Sequence, residues 1–299
     1  MQTKHQIQHL LSSAGVLPNK RLGQHFLIDL NLMRLLVNSA DIHKNDVVLE
    51  VGCGTGSLTE AIAEKAGCCI AVEFDKVLAG IAKAQLTGRD NVEIINADVL
   101  ADKVTINAAV VEAVQSARKK HGGRFLLVAN LPYNAASSVM LNLACGSVIA
   151  DAMYVTVQKE VAERMTAGPG SKSYGTLSIF LSATGDLETI RILKPTVFWP
   201  QPKVDSAMIS FVYSRRKAER IENMELFNEV VGLFMNYRRK MLKGCTKFAE
   251  GKLAEIGNWL EIFDKCSIEP TDRSERISPE GFIAIANLCR KILTGTSRK

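Results

Sequence analysis

The chain has 299 residues, 47% of them hydrophobic, and a formal net charge of +6 at pH 7. This length and composition suit a globular protein of two domains and exclude an intrinsically disordered chain. No stretch approaches the ~18 consecutive apolar residues of a membrane span and the N-terminal segment lacks an apolar signal core, so we expect a cytoplasmic protein with no membrane partner.

Short β-branched apolar runs alternate with helical patterns in the first half of the chain. The runs are VVLEV (47–51), CCIAVEF (68–74), NVEIINAD (91–98), RFLLVAN (124–130) and DAMYVTVQ (151–158). This alternation is typical of βαβ units and predicts an α/β fold with a parallel, doubly wound, Rossmann-like sheet. ETIRIL (188–193) and SAMISFVY (206–213) are candidate strands that close the sheet. The first domain is therefore expected to span residues 1–214.

Helical patterns dominate the remainder of the chain. They are ELFNEVVGLFMNYRRKMLKG (225–244), KLAEIGNWLEIF (252–263) and PEGFIAIANLCRKIL (279–293). They predict a small all-helical domain over residues 215–299, with 17 Lys and Arg against 12 Asp and Glu. This basic excess suggests a polyanionic partner, although mild basicity is also common in proteins that bind none.

Cysteine and histidine spacing does not indicate a metal centre. The seven cysteines are scattered without a Cys-x-x-Cys pair, so we expect buried, reduced thiols. Only His5 and His9 have a metal-ligand spacing, and their polar surroundings favour solvated side chains. No metal is predicted.

A glycine loop follows the first predicted strand. Gly52, Gly54 and Gly56 precede a helical pattern, the context in which the backbone approaches a ligand at a helix N-terminus. Glu73 ends the next strand about 20 residues later, where a carboxylate can accept both ribose hydroxyls of a nucleoside cofactor. Asp98 and Asn130 end the following two strands, so these groups are expected to meet in one crevice. At this point an NAD-dependent oxidoreductase remains an alternative.

Several further blocks carry a resemblance to a known family. They are RLGQHFLID (21–29), LEVGCGTGSLT (49–59), NLPY (130–133), QKEVAERMTAGPGSKSYGTLS (158–178), FWPQPKVDSA (198–207) and NYRRKML (236–242). Together they resemble the adenine N6-methyltransferases that use S-adenosyl-L-methionine (SAM), and among them the ribosomal RNA adenine dimethyltransferases of the small subunit. The resemblance covers nearly the whole chain.

The resemblance implies N6,N6-dimethylation of two adjacent adenosines in the 3′-terminal hairpin of small-subunit (16S) ribosomal RNA. The implied partner is small-subunit ribosomal RNA or a pre-ribosomal small subunit, with a role in ribosome biogenesis, and we expect a monomer. By the same resemblance, the cofactor pocket contains His25, Leu27, Gly52, Glu73, Asp98 and Asn130. His25 departs from the family, which usually has Asn at this position.

The NLPY block has a physical rationale as a catalytic corner. The adenine amine is a poor nucleophile because its lone pair is delocalised into the ring. The Asn130 side-chain oxygen and the Leu131 carbonyl would accept the two amine hydrogens, which localises that lone pair. Pro132 would hold the corner rigid and Tyr133 would stack on the base, worth roughly 1–3 kcal/mol. By resemblance, Phe198 covers the opposite face of the base; the alternative is that it packs on the sheet.

A cluster of cations in NYRRKMLKGCTK is the candidate RNA contact. On a helix, Arg239, Lys243 and Lys247 would share one face, with Arg238 beside them, and could contact phosphates. The alternative is a solvated helix face.

Three other functions remain open at this stage. The rivals are an erythromycin-resistance type methyltransferase of large-subunit RNA, a DNA adenine methyltransferase, and a non-catalytic RNA-binding assembly factor.

Overall fold

A computed structural model of the protein describes residues 1–19 and 22–296. The chain divides into two compact units. The first comprises Met1–Ala162 and Leu187–Tyr213, and the second comprises Glu163–Asp186 and Ser214–Lys299. The expected boundary after residue 214 thus lies one residue from the observed one, but an additional segment, Glu163–Asp186, belongs to the second unit.

Within the described residues, the strands form a seven-stranded sheet in the order β4-β3-β2-β5-β6-β9-β7, and β1 pairs with β8 separately. The strands are β1 (Phe26–Leu27), β2 (Val47–Val51), β3 (Cys68–Glu73), β4 (Val92–Asn96), β5 (Phe125–Asn130), β6 (Ala152–Gln158), β7 (Gly185–Leu193), β8 (Phe198–Trp199) and β9 (Ser206–Tyr213). Strands β2 to β6 pair in parallel, whereas β9 is antiparallel to β6. The predicted α/β fold with a Rossmann-like sheet is confirmed.

Thirteen helices are found in the described residues. They are α1 (Lys4–Ser13), α2 (Leu30–Ser39), α3 (Ser57–Ala63), α4 (Lys76–Gln85), α5 (Ala108–Lys120), α6 (Ala136–Cys145), α7 (Lys159–Met165), α8 (Thr176–Thr184), α9 (Arg215–Ala218), α10 (Met224–Asn236), α11 (Leu242–Cys245), α12 (Trp259–Lys265) and α13 (Pro279–Thr296). Several of these helices have a side-chain N-cap. Asp29 accepts from two backbone N–H groups at the start of α2, and Asp75 does the same at the start of α4.

Helix α2 packs on the sheet through a continuous apolar cluster. Met33 and Leu36 of α2 lie in this cluster with Val48 of β2 and Leu126 of β5, and all four are buried. Strand β2 is buried along its whole length, as expected for a central parallel strand covered on both faces. The carboxyl ends of β2, β3 and β5 are therefore held by a rigid sheet.

The second unit includes Glu163–Asp186 because polar and aromatic contacts join this segment to the C-terminal helices. The buried hydroxyl of Tyr174 donates to the carbonyl of Ile277 at 2.8 Å, and the N–H of Gly170 donates to the carbonyl of Glu275 at 2.7 Å. The Phe180 ring packs edge-on against Phe227 with centroids 5.0 Å apart. Sequence periodicity alone contains no signal for such long-range contacts.

Within the described residues, no helix is both long and apolar enough to cross a membrane.

Candidate active site at the carboxyl ends of the strands

A cavity of about 320 Å³ opens at the carboxyl ends of β2, β3 and β5 in the first unit. Its volume lies within the range of small-molecule sites. The predicted residues that line it are His25, Leu27, Gly52, Glu73, Asp98, Asn130, Leu131, Pro132 and Tyr133. The structure thus brings the glycine loop, the strand-end acids and the NLPY corner together. Of the RLGQHFLID block, Arg21 lies outside the described residues.

The loop between β2 and α3 has three glycines with positive φ, Gly52, Gly54 and Gly56. Gly52 and Gly54 have φ values of +77° and +57°, which L side chains rarely adopt. A Cβ atom on Gly52 would lie 3.0 Å from Cγ of Pro132, and one on Gly54 would lie 2.9 Å from the ring of Phe26. The loop is therefore in direct contact with the NLPY corner, and a side chain at Gly52 would push the two apart.

Glu73, at the end of β3, is oriented by the backbone. Its Oε2 accepts from the N–H of Gly54 at 2.8 Å, and its Oε1 accepts from the N–H of Asp75 at 2.9 Å. The side chain is buried, and this burial raises the pKa of the Glu73 carboxyl above its ordinary value, although the two hydrogen bonds oppose the shift. Each oxygen keeps a lone pair with which it can bind a ligand hydroxyl.

A second acid, Glu50, lies beneath the glycine loop at the end of β2. It is 2% exposed and accepts a hydrogen bond from the Thr59 hydroxyl at 2.6 Å. Burial raises its pKa to about 8, and the nearby charge of Glu73 adds to the rise. Glu50 therefore lines the pocket mainly as a neutral acid at pH 7.

The side chain of Asn130, at the end of β5, is held at both ends. Its Nδ2 donates to the backbone carbonyl of His25 at 2.8 Å, and its Oδ1 accepts from the hydroxyl of Thr156. The next residue is held by the same neighbour, because the Leu131 N–H donates to the Thr156 carbonyl at 3.1 Å. Among the described residues, the backbone hydrogen bonds leave the Leu131 carbonyl free to accept.

Tyr133 presents its ring to the cavity while its hydroxyl is fixed. The hydroxyls of Tyr133 and Ser206 lie 3.0 Å apart within hydrogen-bonding distance. Burial raises the pKa of the Tyr133 phenol, so it remains protonated at neutral pH. The His25 ring lies 5.5 Å from the Tyr133 ring, and its Nδ1 donates to the Pro200 carbonyl at 2.7 Å, since a carbonyl can only accept.

Phe198, predicted to cover the target base, does not line the cavity in this structure. Phe198 is 1% exposed and packs in the hydrophobic cluster of the sheet, outside the cavity lining. The physical reason is the pairing of β8 with β1, which sets Phe198 opposite Leu27 and directs its ring into the core. The alternative, an aromatic residue packed on the sheet, is the one observed.

Several pocket residues were not found by the sequence analysis. Ile7 of α1 lines the cavity. Gln2, just before this helix, binds the glycine loop through two hydrogen bonds. Its Nε2 donates to the Thr55 carbonyl at 3.0 Å, and its backbone N–H donates to the Ser57 hydroxyl at 2.7 Å. Phe74, next to Glu73, is 57% exposed and also lines the cavity. An aromatic residue directly after the strand-end acid was the one available sequence signal.

The predicted RNA-binding cations of the second unit do not share one helix. Helix α10 ends at Asn236, α11 covers only Leu242–Cys245, and Thr246–Phe248 forms a 3₁₀ turn. Backbone hydrogen bonds from Leu242 to Asp272 (2.8 Å) and from Lys243 to Pro270 (3.0 Å) bend the chain away from a helical path. The prediction of a continuous helix is therefore wrong.

Residues 237–248, named here the basic loop, nevertheless have a compact aromatic scaffold. The rings of Tyr237 and Phe248 stack with centroids 4.0 Å apart, and Nζ of Lys240 lies 5.3 Å from the Phe248 centroid. Arg239, Lys243 and Lys247 are exposed on this loop. The three cations are thus exposed to solvent on a loop whose two ends are joined by the stacked rings of Tyr237 and Phe248.

Arg238 differs from its neighbours because it is bound within the second unit. Its Nε donates to Oε2 of Glu275 at 2.9 Å, and its Nη2 donates to the carbonyls of Ser171 and Lys172, each at 3.1 Å. These three hydrogen bonds occupy most of the N–H donors of the Arg238 guanidinium. The predicted contact of Arg238 with RNA is therefore not supported, and a structural role within the second unit is favoured.

The parallel strands β2 to β6, the glycine loop and the acid at the end of β3 define a Rossmann-like protein with a site for a nucleoside cofactor. A family model for ribosomal RNA adenine dimethylase matches residues 16–288. A ribosomal RNA small subunit methyltransferase A of Pelotomaculum thermopropionicum is 35% identical over 281 residues, or 94% of each chain. Its counterpart in Pediococcus pentosaceus is 36% identical over 293 residues, or 97% of this chain and 95% of its own. The chain belongs to the ribosomal RNA adenine dimethylase family.

Solved structures agree with this fold. A dimethyladenosine transferase from Plasmodium falciparum superimposes with a TM-score of 0.70 at 20% identity, covering 90% of this chain and 98% of its own. The 23S rRNA methyltransferase ErmE gives a TM-score of 0.61 at 20% identity, covering 89% and 99%. The resemblance inferred from the motifs is confirmed, and the chain is a SAM-dependent ribosomal RNA adenine methyltransferase. The oxidoreductase, DNA-methyltransferase and non-catalytic alternatives are set aside.

Proposed function

We propose that this protein dimethylates N6 of two adjacent adenosines in the 3′-terminal hairpin of small-subunit (16S) ribosomal RNA, in the cytoplasm and as a monomer. Ribosomal RNA is the substrate class of its family. The choice of the small subunit is supported by relatives named ribosomal RNA small subunit methyltransferase A that match nearly the whole chain. Such a modification would take place during ribosome biogenesis.

The pocket fits SAM, which supplies an electrophilic methyl group on a sulfonium when bound. Glu73 would accept hydrogen bonds from the ribose hydroxyls through the lone pairs that Gly54 and Asp75 leave open. Asp98 would bind the cofactor adenine amine, and the exposed ring of Phe74 offers a face for the same adenine. The cavity volume and the mixture of apolar walls with a few polar groups suit a nucleoside.

The catalytic corner would hold the target amine on the other side of the methyl group. The Asn130 oxygen and the Leu131 carbonyl would accept the two N6 hydrogens, so that the nitrogen lone pair points at the methyl carbon. Tyr133 would stack on the base while Ser206 anchors its hydroxyl. Pro132 fixes the backbone at the corner through its ring.

The observation that supports this proposal most strongly is that the glycine loop and the corner follow two adjacent parallel strands, β2 and β5, and that Gly52 packs against Pro132. Two bound reactants would therefore be held side by side at near-reaction distance, which is roughly 3–3.5 Å between the reacting atoms. Catalysis would come from orientation and preorganised hydrogen bonds.

We assign the basic loop to RNA phosphates. Arg239, Lys243 and Lys247 are exposed, and within the described part of the chain no ion pair engages them. Phosphate contacts would position the RNA without reading its sequence, leaving the choice of base to the pocket.

The decisive experiment offers the purified enzyme and labelled SAM to three substrates: small subunits from a strain that lacks the modification, naked 16S RNA, and large subunits. Mass spectrometry of the digested RNA should find N6,N6-dimethyladenosine at two adjacent positions of the small-subunit hairpin. Asn130→Ala serves as the inactive control. Dimethylation of large-subunit RNA instead would assign the enzyme to the other ribosomal subunit.

A further inference from the structure

The orientation of the Asn130 carboxamide is fixed by two unlike partners. Nδ2 donates to the His25 carbonyl at 2.8 Å, and Oδ1 accepts from the Thr156 hydroxyl. The His25 carbonyl can only accept, so the amide nitrogen must face it. The amide oxygen therefore lies on the side of Thr156, and the assignment of N and O follows from the chemistry of the neighbours.

Thr156 is well placed to hold this orientation. It lies on β6 directly opposite Asn130 in the parallel ladder, and it is fully buried. Its neighbours Val155 and Val157 are apolar, so the hydroxyl is a polar group set into a buried strand. Burying a hydroxyl is unfavourable unless it forms a hydrogen bond, and the Asn130 oxygen supplies that partner.

Thr156 also binds the backbone of Leu131, whose carbonyl is the second proposed acceptor. The backbone carbonyl of Thr156 accepts from the Leu131 N–H at 3.1 Å, which sets the plane of the peptide between Asn130 and Leu131. The side chain of Thr156 thus contacts the Asn130 amide oxygen, and its main chain contacts the N–H of Leu131.

The Thr156 hydroxyl restrains the Asn130 carboxamide at its oxygen, whereas the His25 carbonyl restrains it at its nitrogen. The last torsion of an Asn side chain is broad and roughly two-fold, so two hydrogen bonds to unlike partners hold the amide more tightly than the His25 bond alone. A flipped amide would aim NH₂ hydrogens at the hydrogens of the target amine, which is repulsive. A carboxamide oxygen has two lone pairs, so donation from Thr156 still leaves one to accept from the target.

We propose that Thr156 is a positioning residue for methyl transfer, which fixes the Asn130 carboxamide with its oxygen toward the target amine. This inference rests on the proposed role of Asn130 in the reaction. Thr156 does not touch the reacting atoms, and its effect passes entirely through Asn130.

Two variants separate the hydroxyl from the shape of the side chain. Thr156→Val removes the hydroxyl and keeps the β-branched volume that suits a strand, whereas Thr156→Ser keeps the hydroxyl and removes a methyl group. In single-turnover methyl transfer at saturating SAM, we expect the Val variant to be slower by about tenfold or more, as for removal of one preorganised hydrogen bond. Its KM for the RNA particle, its SAM affinity and its melting temperature should stay close to those of the wild type, and the Ser variant should recover most of the rate.

A second experiment measures the orientation of the Asn130 amide by NMR spectroscopy and does not depend on methyl-transfer activity. The side-chain amide signals of Asn130 in ¹H–¹⁵N spectra should shift and broaden in Thr156→Val and stay near the wild-type positions in Thr156→Ser. Unchanged amide signals with a wild-type rate in the Val variant would overturn the proposal, and so would equal reductions of rate in the Val and Ser variants. If the wild-type enzyme transfers no methyl group to the particle, the proposed function fails, and the amide spectra alone decide whether Thr156 orients Asn130.

Discussion

The N–H of Gly54 donates to Oε2 of Glu73 at 2.8 Å, so the glycine loop and the acid at the end of β3 form one hydrogen-bonded unit. Gly54 lies in the loop after β2 and Glu73 ends the neighbouring strand β3, and each limits the freedom of the other. A change at Glu73 should therefore affect both a direct ligand contact and the shape of the loop.

We expect Glu73→Ala to weaken SAM binding by about 10- to 100-fold, because it removes charge-assisted hydrogen bonds and an acceptor of the Gly54 N–H. Affinity for the RNA particle should change little, since the carboxylate is assigned to the cofactor. Isothermal calorimetry with SAM measures the first quantity. Glu93→Ala, at an exposed position on β4, is the matched control and should bind SAM normally. An unchanged SAM affinity in Glu73→Ala would limit this acid to a structural role.

Asn130→Ala should show the opposite pattern. We expect methyl transfer to slow by about 10²-fold or more, by analogy with removal of one preorganised polar group. SAM affinity should fall only modestly, because the residue acts on the target amine. Single-turnover assays with saturating enzyme measure the rate, and calorimetry checks the cofactor. Near-normal transfer by this variant would remove Asn130 from the reaction.

Glu50 gives a prediction about pH and stability. Its pKa is about 8 in the folded protein and near the ordinary value of 4.5 when unfolded, so the folded state holds a proton that the unfolded state releases. The resulting stabilisation is complete below about pH 4.5 and is lost as pH rises to about 8, an effect of at most about 5 kcal/mol. Urea unfolding between pH 5 and 8.5 should therefore show falling stability.

Glu50→Gln is the control for this pH effect, because it keeps an acceptor for Thr59 but cannot ionise. Its unfolding free energy should fall much less over the same pH range. Parallel pH profiles for the wild type and the Gln variant would show that Glu50 ionises normally in the folded protein.

The basic loop can be tested by charge removal. Replacing Arg239, Lys243 and Lys247 together with Gln should weaken binding of the ribosomal particle and lower its salt dependence by up to about 0.7–0.9 log units for each phosphate that is no longer neutralised. SAM affinity should not change. The control variant replaces Lys83, Lys119 and Lys120, which are exposed in the first unit, and removes the same charge. Equal salt slopes in both variants would place the RNA contact elsewhere.

Sequence patterns predicted the sheet well, because buried parallel strands leave a strong apolar signal. VVLEV coincides with β2, and the other four runs differ from β3 to β6 by one or two residues at their ends. The helix across the basic loop was wrong because the pattern of NYRRKMLKG is helical, whereas backbone bonds to Pro270 and Asp272 determine its path. Tertiary hydrogen bonds of this kind override local propensity.

Within the site, residue types predicted the strand-end groups, and the sheet brought them together because carboxyl ends of parallel strands meet at one edge. Phe198 and Thr156 could not be placed in the same way. The orientation of Phe198 depends on its pairing with Leu27, and that of Thr156 depends on the register of β6 against β5. Such registers are set by packing between distant segments.

The adjacency of β2 and β5 also bears on where the chain tolerates insertion. The path from the cofactor loop to the catalytic corner runs outward through β3 and β4 and returns through α5 before it reaches β5. Residues 101–105, on that path, are exposed. We expect that a reporter domain inserted there would lengthen this connection without displacing the glycine loop or the NLPY corner, because hydrogen bonds between β2 and β5 hold these two segments close together.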